Sequence, residues 1–166
     1  KKHTIRILIN PDYPPYTLVD RSGELRGILG DLLNIIHLQT GIDFEPVLAN
    51  TKSEQTKQIS GERWDMYPTI TLTNQNQHNS TFSDPLMNVA FVIITSRDET
   101  ADSLLNTPIR IALPAGHVLE SDLKQRYPQA TWVDADTGSV AMTMLRDGKV
   151  DAAIATELSA RFMVDH

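Results

Sequence analysis

The chain opens on a two-residue period. Ile5, Ile7 and Ile9 alternate with Arg6 and Leu8, and Asn10-Pro11-Asp12 follows, so a strand ended by a turn is predicted. Pro14 and Pro15 come next, and Asp20-Arg21-Ser22-Gly23 reads as a tight turn. The period then lengthens. Ile28, Leu29, Leu32, Leu33, Ile35 and Ile36 form one broad apolar helical face, with Gly41 placed to cap its end. A strand is expected around Phe44 to Leu48. Thr51-x-x-Glu54 has the pattern of a capping box for a short helix closed by Gly61. Met66 to Leu72 returns to strand character, and Asn74 to Ser80 is wholly polar and reads as a loop.

The second half repeats the alternation. Val89 to Thr95 and Ile109 to Leu113 are strands, with a surface loop over Ser96 to Asp102 between them. A helix over Val118 to Tyr127 is ended by Pro128, and Thr131 to Val133 is a short strand. Thr137 to Arg146 is a helix with Val140, Ala141, Met144 and Leu145 turned inward, ended by Gly148. Val150 to Ala155 is a strand of the buried type. Strands alternating with helices imply parallel sheets flanked by helices, an α/β class.

Composition narrows the function classes. With 166 residues, the chain suits one ordinary domain or two small lobes. Its formal net charge of -6 and the lack of a basic stripe argue against nucleic acid or an anionic membrane surface as partner. No apolar run approaches the roughly 18 residues of a bilayer span. Cysteine is absent, which excludes disulfides, thiol catalysis and cysteine metal sites.

Several segments, in order, resemble the family-3 extracellular solute-binding proteins. They are Asn10-Pro11-Asp12-Tyr13-Pro14-Pro15-Tyr16, Gly23-Glu24-Leu25-Arg26-Gly27, Asp31-Leu32-Leu33, and Gly61 with Asp65 before Thr69-Ile70-Thr71-Leu72-Thr73. Phe82-Ser83-Asp84-Pro85 and Leu145-x-x-Gly148-Lys149-Val150-Asp151-Ala152 complete the series. Arg126-Tyr127-Pro128 and Thr156-Glu157-Leu158-Ser159-Ala160-Arg161-Phe162 are most similar to the periplasmic clamshell (Venus-flytrap) sensor domains of hybrid sensor histidine kinases. The resemblance implies a type II, two-lobe clamshell of parallel-rich sheets flanked by helices, with lobe one over residues 1–89 and lobe two over 90–166. In that family the chain returns to complete lobe one. This sequence stops at His166, so either the chain is a fragment ending before that return or lobe one is completed differently, and the first helix would need cover for its apolar surface.

The resemblance also implies a ligand site on the facing walls of the two lobes. Where amino-acid-binding members carry a carboxylate-clamping arginine, the matching residue is Asn76, which lacks both the charge and the guanidinium fork. Where they anchor the amine with an aspartate, the match is Thr156, and their serine/threonine pair is matched by His117 and Val118 after Gly116. Burying a zwitterion without these partners would cost several kcal/mol. The expected ligand contacts are therefore Tyr13, Tyr16, Thr69, Thr71, Asn76, His117 and Thr156, with Thr73 a further hydroxyl. Amides at the helix start near His117 would suit a carboxylate. The implied ligand is a small organic acid or similar metabolite. The implied whole is the periplasmic part of a membrane-anchored sensor kinase, compatible with a dimer, with no cofactor, no metal and no catalytic residue.

Rival signals have plainer readings. Asp136-Thr137-Gly138-Ser139 matches the aspartic-protease tetrapeptide, but it opens a helix, where Asp136 or Thr137 serves as an N-cap. The five histidines show no metal-ligand spacing. Two alternatives stay open: a free solute-binding protein of an ABC transporter, and a dehydratase-like enzyme on the same fold. The enzyme would draw on Glu157, Asp12 or His117 as acid or base.

Overall fold

The computed structural model describes residues 4–50, 54, 63–70 and 81–165. The chain divides into two compact units, Lys1–Thr69 with Phe162–His166, and Ile70–Arg161. None of the helices among the described residues is long and apolar enough to cross a membrane.

The first unit contains β1 (Thr4–Ile9), β2 (Asp12–Tyr13), β3 (Thr17–Val19), β4 (Leu25–Arg26), α1 (Ile28–Thr40) and β5 (Asp43–Leu48). β1 and β5 pair in parallel, from Thr4 opposite Asp43 to Ile9 opposite Leu48, and Ile7 makes a parallel bridge to Met66. Ile7 and Ile9 pack with Leu29 and Leu33 of α1. Leu8, on the opposite face of the strand, is also fully buried, so β1 is covered on both sides as strands of parallel sheets are. The strand expected over Met66 to Leu72 is reduced, among the described residues, to that single bridge. Pro68 has no N–H to continue a ladder, and Pro68–Thr69 turn away. The helix expected from Thr51 to Gly61 lies outside the described residues apart from Glu54, whose carboxylate accepts the Asn50 N–H at 2.7 Å.

α1 begins against the proline loop. The N–H groups of Ile28 and Leu29 donate to the carbonyls of Pro15 and Tyr16, each at 3.0 Å, which satisfies two donors that a helix start leaves open. This close approach needs glycine at position 27. Its φ is +88°, and a Cβ there would stand 2.5 Å from the Pro15 carbonyl oxygen. β2, β3 and β4 form an antiparallel meander. The turn between β3 and β4 is held by the Asp20 carboxylate, which accepts the amides of Ser22 and Glu24 and the Arg26 guanidinium. The Ser22 hydroxyl also donates to Asp20, and this bond first, then the Arg26 and amide bonds, hold the Asp20 carboxyl well below the usual aspartate range.

The second unit contains β6 (Phe91–Thr95), α2 (Ala101–Leu105), β7 (Arg110–Pro114), α3 (Glu120–Arg126), β8 (Thr131–Ala135), α4 (Gly138–Arg146) and β9 (Ala152–Thr156), and α5 (Glu157–Asp165) begins in it. The sheet order is β6-β9-β7-β8, with β7 parallel to both β8 and β9 and β6 antiparallel to β9. The chain passes from β7 to β8 on one side, then back across β7 to β9 on the other. Right-handed crossovers in opposite directions put α3 and α4 on opposite faces. One core accordingly joins Ile111, Leu113 and Ile154 to α2, Tyr127 and Leu123. The other joins Ala112, Ala135 and Ala153 to Ala141, small side chains that let α4 lie close on the sheet.

Three sequence expectations change here. Val140 is exposed rather than inward, because Thr137 is the N-cap and the first turn of α4 presents that position to solvent. The helix expected from Val118 starts at Glu120. The loop expected over Ser96 to Asp102 ends early, since Thr100 caps α2 by accepting the Ser103 N–H at 3.3 Å.

The same device ties β1 to the Met66 segment in unit 1 and β7 to β9 in unit 2. The Arg6 guanidinium grips Asp65 in a fork, Nε to Oδ2 at 3.0 Å and Nη2 to Oδ1 at 2.8 Å, and the Arg6 amide donates to Oδ2 at 2.8 Å. Arg110 holds Asp151 in the same way, with its amide at 2.9 Å and Nε at 3.2 Å from Oδ2. In return the Asp65 and Asp151 amides donate to the Arg6 and Arg110 carbonyls. This register makes Ile7 the counterpart of Ile111, and Met66 of Ala152.

Candidate functional site

In open α/β sheets the carboxyl ends of the strands point at ligands, because the loops and helix starts that follow them collect on one edge. Those of the sequence-derived contacts that lie among the described residues fall on such edges, each within its own unit.

In unit 1, Tyr13 closes β2 and Tyr16 follows the cis Pro14-Pro15 bond. Their rings lie 4.8 Å apart between centroids and tilt by 38°. Tyr16 is buried and its carbonyl caps α1, so much of its role is to seat that helix, while Tyr13 is half-buried. The loop is stapled by two bonds: Thr17 Oγ1 donates to the Asn10 carbonyl at 2.6 Å, and the Asp12 N–H donates to Asn10 Oδ1 at 2.9 Å. Thr69 is half-buried, three residues past the Met66 bridge. Thr71, Thr73 and Asn76 lie outside the described residues. Tyr67, which the sequence reading passed over, stands on the same edge, and burial pushes its phenol up.

In unit 2 the loop after β7 turns at Gly116, whose φ is +69°, and its amide donates to Glu120 Oε2 at 3.0 Å. Glu120 is also bonded to Lys124 at 2.8 Å, and that bond holds its carboxyl below the usual range. His117 follows, half-buried. Its Nδ1 accepts the Leu119 N–H at 3.1 Å, and its ring meets Phe91 edge-on with centroids 4.7 Å apart and planes at 71°. Phe91 opens β6 directly opposite Thr156. Thr156 is buried at the end of β9, and its Oγ1 accepts the Ser159 N–H at 3.3 Å, capping α5. Thr137 does the same for α4, accepting the Val140 N–H at 3.2 Å, which accounts for the Asp-Thr-Gly-Ser tetrapeptide as a helix start.

Sequence reasoning missed Phe91 and the Arg–Asp forks. A lone phenylalanine at the head of a strand reads as core, and pairs 59 and 41 residues apart leave no local signal. Among the described residues, no cluster of three or more histidine, aspartate or glutamate side chains could hold a metal ion.

The profile of bacterial extracellular solute-binding proteins, family 3, matches residues 5–122. Sensor protein EvgS of Escherichia coli strain K12 is 33% identical over 167 residues, covering 100% of this chain and 14% of EvgS. Virulence sensor protein BvgS of Bordetella pertussis strain Tohama I is 29% identical over 163 residues, covering 97% of this chain and 13% of BvgS. The chain thus spans about a seventh of the curated relatives it matches. The crystal structure of the B. pertussis BvgS periplasmic VFT2 domain superposes with a TM-score of 0.83 at 28% identity, over 98% of this chain and 70% of that one.

Proposed function

Because the chain belongs to the bacterial extracellular solute-binding proteins of family 3, we propose that it is a periplasmic ligand-sensing clamshell domain of a two-component sensor histidine kinase. It binds a small metabolite between its lobes and signals by opening and closing. The observation that carries this reading is the likeness, over 100% and 97% of this chain, to segments of EvgS and BvgS, both named as sensor proteins. It is supported by the two α/β units, each gathering aromatic and hydroxyl side chains at its strand ends. On this reading lobe one is residues 1–89 and lobe two 90–166, with β6 opening the sheet of the second.

The proposed contacts are Tyr13, Tyr16, Thr69, Thr71 and Asn76 from lobe one, with His117 and Thr156 from lobe two. With asparagine and threonine at the positions where relatives clamp a zwitterion, the proposed ligand is a small organic acid rather than an ordinary α-amino acid. A closing motion signals only if the ligand prefers one state over the other. The domain itself is a binding module and not an enzyme. In this reading it is the extracytoplasmic part of an inner-membrane receptor that works as a dimer.

Isothermal calorimetry of the chain against a panel of small mono- and dicarboxylic acids and α-amino acids tests the ligand. Saturable binding of an acid, weakened at least tenfold by His117→Ala, is expected. Tight binding of a zwitterionic amino acid overturns the assignment of Asn76 and Thr156.

A further inference from the structure

Unit 2 carries an arrangement that the family reading does not assign. His117 is held from two directions. The Leu119 amide donates to Nδ1 at 3.1 Å, and Phe91, from the first position of β6, meets the ring at 71° with centroids 4.7 Å apart. A nitrogen that accepts an amide hydrogen cannot carry its own, so the neutral imidazole bears its proton on Nε2. The aromatic contact fixes the ring plane about the soft terminal torsion, which alone would turn between two orientations.

We propose that Phe91 is a positioning residue for His117, and that with the Leu119 amide it locks the imidazole as the Nε2–H tautomer. His117 then meets a ligand as a hydrogen-bond donor, so the ligand atom facing it is an acceptor, a carboxylate or carbonyl oxygen. The charged neighbours Glu120 and Lys124, on the adjoining turn, are bonded to each other. The ligand clause rests on the function proposed above. The tautomer does not, and it can be read without any ligand.

The test is long-range proton–nitrogen correlation on histidine-labelled chain, with the His117 signals assigned by their loss in His117→Gln, at a pH where histidine is neutral. The expected pattern is Nδ1 unprotonated and Nε2 protonated. Phe91→Leu, shown folded by its dispersed amide spectrum, gives two averaged nitrogen signals, and Phe91→Tyr, which keeps the ring, restores the separated pair. A wild-type Nδ1–H pattern, an averaged wild-type pair, or no change in Phe91→Leu overturns the proposal. A calorimetric panel without a binder removes the ligand reading and leaves the tautomer assignment standing, so the two failures are told apart.

Discussion

The two units are built on one plan and finished differently. In each, an arginine at or near the start of a strand, Arg6 on β1 or Arg110 on β7, forks onto an aspartate just before the segment that pairs with that strand, and a helix packs over the isoleucine that follows the arginine. In unit 2, that isoleucine, Ile111, is enclosed by Leu104, Leu123 and Tyr127. In unit 1, Ile7 is as completely buried, yet it borders an open cavity of about 550 Å³ that also touches Leu33, Phe44 and His37. On α1, Ile35 is 51% exposed and Leu38 75%. Among the described residues, the two isoleucines thus differ in what borders them: packed side chains at Ile111, and a cavity on one side of Ile7.

The sharpest way to break this comparison is to remove the paired isoleucines. Ile111→Ala should cost about 4 kcal/mol, because its closed surroundings cannot collapse, and Ile7→Ala about 2 kcal/mol, because the adjoining cavity leaves its neighbours room to relax. Amide hydrogen exchange, read unit by unit, separates the two losses, and equal losses would remove the distinction.

Glycines sharpen it next. Gly27→Ala combines a positive φ with a Cβ 2.5 Å from a carbonyl oxygen. It should cost about 3 kcal/mol and loosen the Tyr13–Tyr16 loop. Gly148→Ala also has a positive φ, but no atom lies within 4 Å of its Cβ, and about 1 kcal/mol is expected.

Thr156→Ala and Thr137→Ala should each cost about 1 kcal/mol as lost helix caps, while serine at either position retains the stability. If Thr156 also contacts ligand, Thr156→Ala weakens binding in the same calorimetric panel and Thr137→Ala does not.

The smallest effect is in acid. The Arg6 fork and amide lower the Asp65 carboxyl to about 2, and the corresponding bonds lower Asp151. A depressed folded pKa means that the stabilisation is present above the unfolded value, about 3.9, and is lost as pH falls through the folded one. Asp65→Asn should flatten the fall in stability between those limits, and Asp151→Asn should flatten it less. Urea titrations at a series of acid pH values measure both, and an unchanged acid limb in Asp65→Asn would show that the fork contributes nothing there.

Much of this was legible in the chain. The two-residue period of Ile5 to Ile9, the apolar face from Ile28 to Ile36 and the glycine at 41 located β1, α1 and its left-handed end, since these depend on neighbours a few residues apart. The ordered motifs from Asn10 to Ala152 carried the family and the α/β clamshell class, which the profile and the BvgS superposition bear out. Legibility failed where a polar or aromatic side chain takes its meaning from a distant strand. Asp65 and Asp151 read as family markers, and their arginine partners emerged only in the folded chain.

The sequence alone thus determined the alternation of elements, the capped ends and the family, because periodicity and turn chemistry act locally. Only the tertiary structure decided which isoleucine is enclosed and which borders a cavity, and that Phe91 stands against His117. Those outcomes depend on sheet order and crossover hand, which bring together residues that no local pattern connects.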